Sequence, residues 1–320
     1  MVIATSTDTA TLIKRFVRVQ KIKIIVILGP TASGKSDLAV ELAQKCAGEI
    51  ISADSRQVYK GLDIGSGKIT RKEMKGVPHH LLGVANPRGK NFTVADFKKL
   101  ADKKIAEIFA RGNVPILCGG TGFYIQSVVD DLVLPEVPPN KSLRAKLGAQ
   151  KTEKLFETLK KLDPKRAENI DAQNRPRLIR AIEIAKALGK VPDFSAVYSS
   201  KKSPYNILQI GIKISPEKSQ KKIHDRLVSR MKKGMLGEAR RLHRDGLSWK
   251  RMEELGLEYR YLALHLQGKI SHIEMLEKIE SESVKYAKRQ MTWFKRDARI
   301  QWFALSEKNK ITKSLQKFLK

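Results

Sequence analysis

The sequence predicts an α/β protein: a parallel-sheet core, a helical insertion and a set of C-terminal helices. Three observations predict it. Short β-branched runs alternate with helical periods in the first third of the chain, the pattern of a parallel sheet with helices on its faces. Gly29-Pro30-Thr31-Ala32-Ser33-Gly34-Lys35-Ser36 matches G-x-x-x-x-G-K-[ST] and joins the first run to the first helical stretch. From about 141 to 190 the chain is charged and helical by period, with no strand candidate.

Taken in order, Ile22–Leu28 reads as a buried strand, a short apolar run stopped by glycine. Asp37–Cys46 reads as a helix and Glu49–Ser52 as a second strand, with Asp54 just past its end. Phe92–Arg111 has helical spacing, with Thr93 and Asp96 placed as a variant capping box. Val114–Cys118 is a third strand, stopped by Gly119-Gly120. Leu134–Asn140 carries Pro135, Pro138 and Pro139 and is expected to be a hinge; Lys201–Pro204 leads back to a strand-like run at Ile207–Ile214. Residues 216 to 296 are again helical. The expected organisation is an N-terminal disordered tail over 1–21, a P-loop NTPase-like core over 22–135 and 205–305, a helical insertion over 136–204, and a basic C-terminal tail over 306–320.

Charge points to the partner. The 320 residues hold 63 Lys and Arg against 33 Asp and Glu, a net charge of +30. Such an excess suits a polyanion: nucleic acid, an anionic membrane surface or polyphosphate, although a Lys-rich proteome gives the same figure. Two cysteines, Cys46 and Cys118, exclude a disulfide framework or a zinc module and suit a reducing cytoplasm. No run approaches the length that spans a bilayer. The first 23 residues, with five basic residues and one acid, fit a loose tail, an early start codon or an organelle transit peptide.

The glycine loop carries the chemistry. Its glycines let backbone N–H groups curl inward, and these together with the following helix N-terminus bind anionic oxygens. Lys35 adds a positive charge, and Ser36 is placed to ligate Mg²⁺ between two phosphates. The loop alone specifies a phosphorylated ligand, not which one.

Further blocks narrow the choice. Asp54-Ser55-Arg56-Gln57-Val58-Tyr59 leads to Leu62-Asp63-Ile64-Gly65-Ser66-Gly67-Lys68, then Pro78-His79-His80-Leu81-Leu82, Phe92–Phe97 and Gly119-Gly120-Thr121-Gly122-Phe123-Tyr124. Arg177–Glu183, Arg226–Gly234 and Ala287-Lys288-Arg289-Gln290-Met291-Thr292-Trp293-Phe294 follow. In these blocks and their order, over about residues 24 to 303, the chain resembles the bacterial tRNA dimethylallyltransferases, also called tRNA isopentenyltransferases. The resemblance implies transfer of a dimethylallyl group from dimethylallyl diphosphate to the exocyclic amine of the adenosine 3′ of the anticodon, with Mg²⁺ and release of diphosphate. It implies that Gly29, Pro30, Thr31, Ala32, Ser33, Gly34, Lys35 and Ser36 hold the donor's diphosphate, with the Thr31 hydroxyl on the bridging oxygen. Asp54 matches the general base and Arg226 a second diphosphate clamp. Asp54, Ser55, Arg56, Gln57, Thr121, Arg144, Pro176, Arg177, Leu178, Ile179 and Arg180 match positions that contact the tRNA anticodon stem-loop.

The chemistry is coherent with those residues. Departure of diphosphate needs charge stabilisation on its oxygens, and an aromatic amine needs a carboxylate to take its proton. Asp54, at a strand end facing the loop, suits the second task; an outer-sphere Mg²⁺ role is its rival. Extruding a base from the tRNA loop needs a grip, for which Arg175, Arg177, Arg180, Lys288, Arg289, Lys295 and Arg296 are candidates, with Phe123, Tyr124 and Trp293 available to stack or to pack. His79-His80 reads as packing, and His224 and Asp225 as surface residues. Gly65-Ser66-Gly67-Lys68 stands where many family members have Thr-Ala between the glycine and the lysine, and is expected to make that loop more mobile. Adenylate isopentenyltransferase and P-loop small-molecule kinase activities are the alternatives, and the expected state is a cytoplasmic monomer.

Overall fold

The computed structural model describes residues 21–192 and 203–320. Residues 1–20 of the expected tail and 201–202 of the return segment lie outside them. The chain divides into two compact units, residues 1–129 with 203–320, and residues 130–202.

The first unit is built on a six-stranded sheet whose strands are all parallel. They are β1 (Ile22–Leu28), β2 (Gly48–Ala53), β3 (His79–His80), β4 (Val114–Gly119), β5 (Tyr205–Lys213) and β6 (Gln301–Ala304), in spatial order β3-β2-β4-β1-β5-β6. Strand β1 is central, with Ile25 beside Ile116 of β4 and Leu208 of β5. Residues 24–28 are wholly buried, and the pleat divides them: Ile24, Val26 and Leu28 enter one core, Ile25 and Ile27 the other. A continuous apolar run is what a strand covered on both faces requires.

Helix α1 (Lys35–Lys45) covers the second face. After the short α2 (Arg71–Met74), α3 (Val94–Ala110) and α4 (Gly122–Val129) cover the first. Thr93 and Asp96 form a reciprocal capping box, so α3 starts at Val94 rather than at Phe92.

The second unit is helical, with α5 (Lys141–Gly148), α6 (Thr152–Leu162), α7 (Pro164–Glu168) and α8 (Arg175–Leu188) around Leu147, Leu155, Leu159, Leu178 and Ile182. Asp163 caps α7 ahead of Pro164, and its other oxygen accepts from the Val191 N–H.

After β5 the first unit resumes with α9 (Pro216–Lys232), α10 (Met235–Arg244), α11 (Trp249–Leu255), α12 (Leu257–Leu266) and α13 (His272–Phe294). The last element corrects the sequence reading. Residues expected to be a basic tail form helix α14 (Lys308–Leu319), which buries Ile311 and Leu315 in the core beneath α1. Lysines at 308, 310, 313 and 317 obscured an apolar stripe at Ile311, Leu315 and Phe318, the i, i+4, i+7 spacing of an amphipathic helix. Strands β3 and β6 also escaped the sequence reading: one is two residues long, and the other is a partly exposed edge.

Candidate active site

The phosphate loop leaves the C-terminal end of β1, where parallel sheets open a crevice. Gly34 caps α1 in the left-handed region at φ 88°, and no side chain caps that helix, so its first-turn N–H groups are available to an anion. A Cβ at Gly34 would also lie 2.8 Å from Leu305 Cδ2, so a larger residue would have to move that side chain as well as bear the left-handed backbone. Distant segments hold the loop from outside. Ala32 packs with Ile223 of α9 and Ala287 of α13, while the Thr31 N–H donates to Gln290 Oε1 at 2.8 Å.

Asp54 sits beyond β2, and its Oδ1 accepts from the backbone N–H groups of Arg56 at 2.8 Å and Gln57 at 3.2 Å, the turn an aspartate makes at a strand end. The Ser55 N–H donates to Thr121 Oγ1 at 3.0 Å, and the Thr121 N–H to the Ala53 carbonyl. Because β2 and β4 are neighbours, the residues following β4 fix the turn that aims Asp54.

The third wall comes from α9. Arg226 and Arg230, four residues apart, share one helix face. Arg230 is held by Glu258 at 3.1 Å and by the Gly65 carbonyl at 3.3 Å. Arg226 is open to the pocket, but the surrounding protein thins its water and, with Arg230 beside it, brings its pKa down to about 10. Lys35 is lowered for the same first reason, desolvation, while the Asp54 charge pulls both cations back up. An anion placed among them reverses that cost. The facing loop is fixed from behind: buried Glu238 of α10 accepts from the N–H groups of Asp63, Ile64 and Gly65 and from the Tyr259 hydroxyl at 2.7 Å. Gly67 of that loop lies against Arg230, where a Cβ would strike Nη2, so the glycine makes close approach possible rather than simply loosening the loop.

These walls enclose a cavity of about 350 Å³. The structure brings Thr31, Lys35, Ser36, Asp54, Ser55, Arg56, Gln57, Arg226 and Arg289 to it, while Gly29, Pro30, Ala32, Ser33 and Gly34 shape the loop without lining it. Thr121 acts behind the Asp54 turn, and Lys288 is exposed on α13 off the cavity wall. In the second unit Arg144 and Arg180 both bind buried Glu183, Arg175 bonds Thr152 and the Gly148 carbonyl, and Pro176 and Arg177 are exposed at the start of α8. Ile179 is half-buried, and Leu178, wholly buried in that unit's core, does packing work with its side chain rather than ligand contact.

Sequence reasoning missed Gln290, Glu238 and Tyr286; Glu258 and Tyr259 belong to the segment Leu255–Arg260, where the chain departs from the family's glycine-tyrosine-arginine block. Gln290 lay inside a quoted block but has no charge to attract notice, and Glu238, next to Arg240 and Arg241, reads as a surface acid. Of the aromatics, Tyr124 is buried and stacked on Phe97, and Trp293 meets Phe123 edge-on. His80 bonds Glu49, His79 lies on the cavity wall with Nδ1 2.8 Å from the Val77 carbonyl, and His224 pairs with Glu280 on the surface. Among the described residues no helix is long and apolar enough to cross a membrane.

Comparison with known proteins identifies this arrangement. The family model for IPP transferase matches residues 57–297. A tRNA dimethylallyltransferase from Anoxybacillus flavithermus is 39% identical over 89% of this chain and 91% of its own, and tRNA dimethylallyltransferase 2 from Treponema denticola is 42% identical over 85% and 91%. The solved tRNA isopentenylpyrophosphate transferase from Bacillus halodurans superposes with a TM-score of 0.68 at 34% identity, covering 93% of this chain and 98% of that one. A eukaryotic dimethylallyltransferase, solved acting on tRNA, gives 0.72 at 27% identity over 85% of this chain and 69% of its own. By sequence and by fold, this chain belongs to the IPP transferase family.

Proposed function

We propose that the chain moves a dimethylallyl group from dimethylallyl diphosphate to the exocyclic amine of the adenosine 3′ of the anticodon in tRNA. The observation that carries the reading is that Thr31, Lys35 and Ser36 of the phosphate loop, Arg226 and the Asp54 side chain line one cavity. In the reaction the bond from the allylic carbon to the bridging oxygen breaks, its electron pair leaves with diphosphate, and the amine nitrogen takes its place on carbon. The amine proton goes to Asp54. Lys35, Arg226 and the N–H groups of α1 stabilise the charge growing on the leaving oxygens, and the Thr31 hydroxyl meets the bridging oxygen.

Among the described residues no group of three His, Cys, Asp or Glu side chains could hold a metal alone. The oxygen donors Thr31, Ser36 and Asp54 on the cavity wall nevertheless suit magnesium. Ser36 would hold it together with the donor's own phosphate oxygens, and when bound it supplies neutralisation of leaving-group charge. Arg56, Gln57 and Arg289 on the cavity wall, with Arg177 in the second unit, are the proposed contacts to tRNA.

The test is mass spectrometry of nucleosides from tRNA incubated with enzyme, Mg²⁺ and dimethylallyl diphosphate, run beside AMP as acceptor. Prenylated adenosine in tRNA and none on AMP is expected; the reverse assigns the chain to adenylate prenylation. Asp54→Ala should lower turnover about 100- to 10,000-fold, the worth of a general base. Unchanged turnover would remove Asp54 from that role.

A further inference from the structure

The side-chain amide of Gln290 spans a gap between two segments far apart in sequence. Its Oε1 accepts from the Thr31 N–H and its Nε2 donates to the Gly120 carbonyl, each at 2.8 Å, with the residue only 6% exposed. The two partners fix which end is oxygen, since Thr31 offers a donor and Gly120 an acceptor. The fit is close: a Cβ at Gly120 would collide with Nε2. The Thr31 N–H is thereby turned into the protein instead of toward the phosphate cradle, while Thr31 itself remains on the cavity wall. Pinning the Thr31 amide fixes the peptide plane from which the residue leaves, and so limits the positions its hydroxyl reaches through the staggered rotamers. The same helix places Tyr286 and Arg289 on the cavity wall, with the Arg289 guanidinium 5.9 Å from the Tyr286 ring. One rigid helix therefore sets both the Thr31 side of the cavity and the Tyr286 side.

We propose that Gln290 is a positioning residue for the transfer: it holds Thr31 so that the hydroxyl meets the departing oxygen, an inference that rests on the function proposed above. It touches no reacting atom. Its effect passes through Thr31, and reactions of this kind lose about 100-fold in rate when a reacting group is displaced by about 1 Å.

The experiment is a double-mutant cycle on the full chain with Gln290→Met, which keeps the volume and removes both bonds, and Thr31→Ala. Steady-state rates are measured with dimethylallyl diphosphate and tRNA, and melting temperature is followed alongside. Expected is a fall in kcat of about 10- to 100-fold for Q290M with both KM values within about threefold, and a fall below about twofold when Thr31 is already alanine. Wild-type kcat in Q290M overturns the positioning role and leaves the functional reading standing. An equal loss in both backgrounds also overturns it, since the effect would then not pass through Thr31. A second measurement needs no variant: hydrogen exchange at the Thr31 amide of the native enzyme should be slow, and exchange at the rate of an exposed loop would overturn the proposal. Wild-type enzyme that forms no prenylated adenosine, with a slowly exchanging Thr31 amide, would overturn the functional reading and the kinetic role built on it.

Discussion

Each unit of this protein holds a pair of neighbouring arginines, and the two pairs share their acids differently. In the second unit Arg144 and Arg180 converge on one carboxylate: Arg144 grips Glu183 through Nε and Nη2 at 3.0 and 2.8 Å, and Arg180 reaches the same side chain at 2.6 Å. In the first unit Arg226 and Arg230 repel one another across a turn of α9, and among the described residues only Arg230 has a carboxylate partner. One pair serves a buried acid. The other leaves Arg226 on the cavity wall without an acid of its own, because Glu258 pairs with Arg230 alone. Residue type does not distinguish the two pairs; the placing of the neighbouring acid does.

The sharpest way to break this contrast is Arg226→Ala. Loss of one preorganised stabiliser of leaving-group charge should cut kcat about 100- to 1,000-fold. The melting temperature should hold or rise, because a like-charge neighbour of Arg230 is gone. Steady-state kinetics with dimethylallyl diphosphate, beside thermal denaturation, reads both. A variant that loses stability and keeps its turnover would make Arg226 a structural residue.

The contrast also explains what was legible. The phosphate loop was readable because its chemistry is local: glycine conformations, a helix N-terminus, a lysine and a serine lie within eight residues. Asp54 was readable because a strand end locates it. The braces were not, because each is a single uncharged or ordinary residue brought in from far along the chain: Gln290 on Thr31, Leu305 under Gly34, Ile223 and Ala287 on Ala32. The partnership of Glu183 with two arginines was hidden for the same reason, since Arg144 lies a whole helix and more away in sequence. Sheet strands of ordinary length were evident from their apolar runs, whereas β6 depends on pairing with β5 to be a strand at all.

Removing the shared acid sharpens the other side. Glu183→Ala should destabilise the full chain by about 1–3 kcal/mol at neutral pH, the range for lost hydrogen bonds to charged groups, at the low end because both arginines keep contact with water. Turnover at saturating tRNA should change little. Acid provides a second view. Burial pushes the Glu183 carboxyl up, but the bonds from Arg144, the Asn140 N–H and Arg180 outweigh it and hold the pKa below the ordinary 4.5. A carboxyl depressed in the fold contributes stability that is full above its unfolded value and is lost as pH falls through the folded one. Below about 4.5 the wild type should therefore approach Glu183→Gln in urea denaturation. A gap that stays constant from pH 7 downward would mean that the pair contributes no charge-dependent stability.

The smallest expected effect tests the pair on α9 from the outside. Gly67 has φ 60°, and a Cβ there would strike Arg230 Nη2 and lie 3.0 Å from Arg226 Nη2. Alanine here costs about 1–2 kcal/mol in the left-handed region and pushes the Arg230 guanidinium aside. Arg230 can yield because the obstructing atom is the end of a flexible side chain, but it then gives up the Gly65 carbonyl and part of its hold on Glu258. Gly67→Ala should raise the donor KM about 3- to 10-fold with kcat within about twofold, the signature of weakened ground-state binding. Arg230 would then be a prop that shapes the clamp, and Arg226 the clamp itself. If kcat falls instead, as deep as in Arg226→Ala, the two arginines stabilise the leaving diphosphate as one unit, and the anchoring of Arg230 by Glu258 is preorganisation for catalysis.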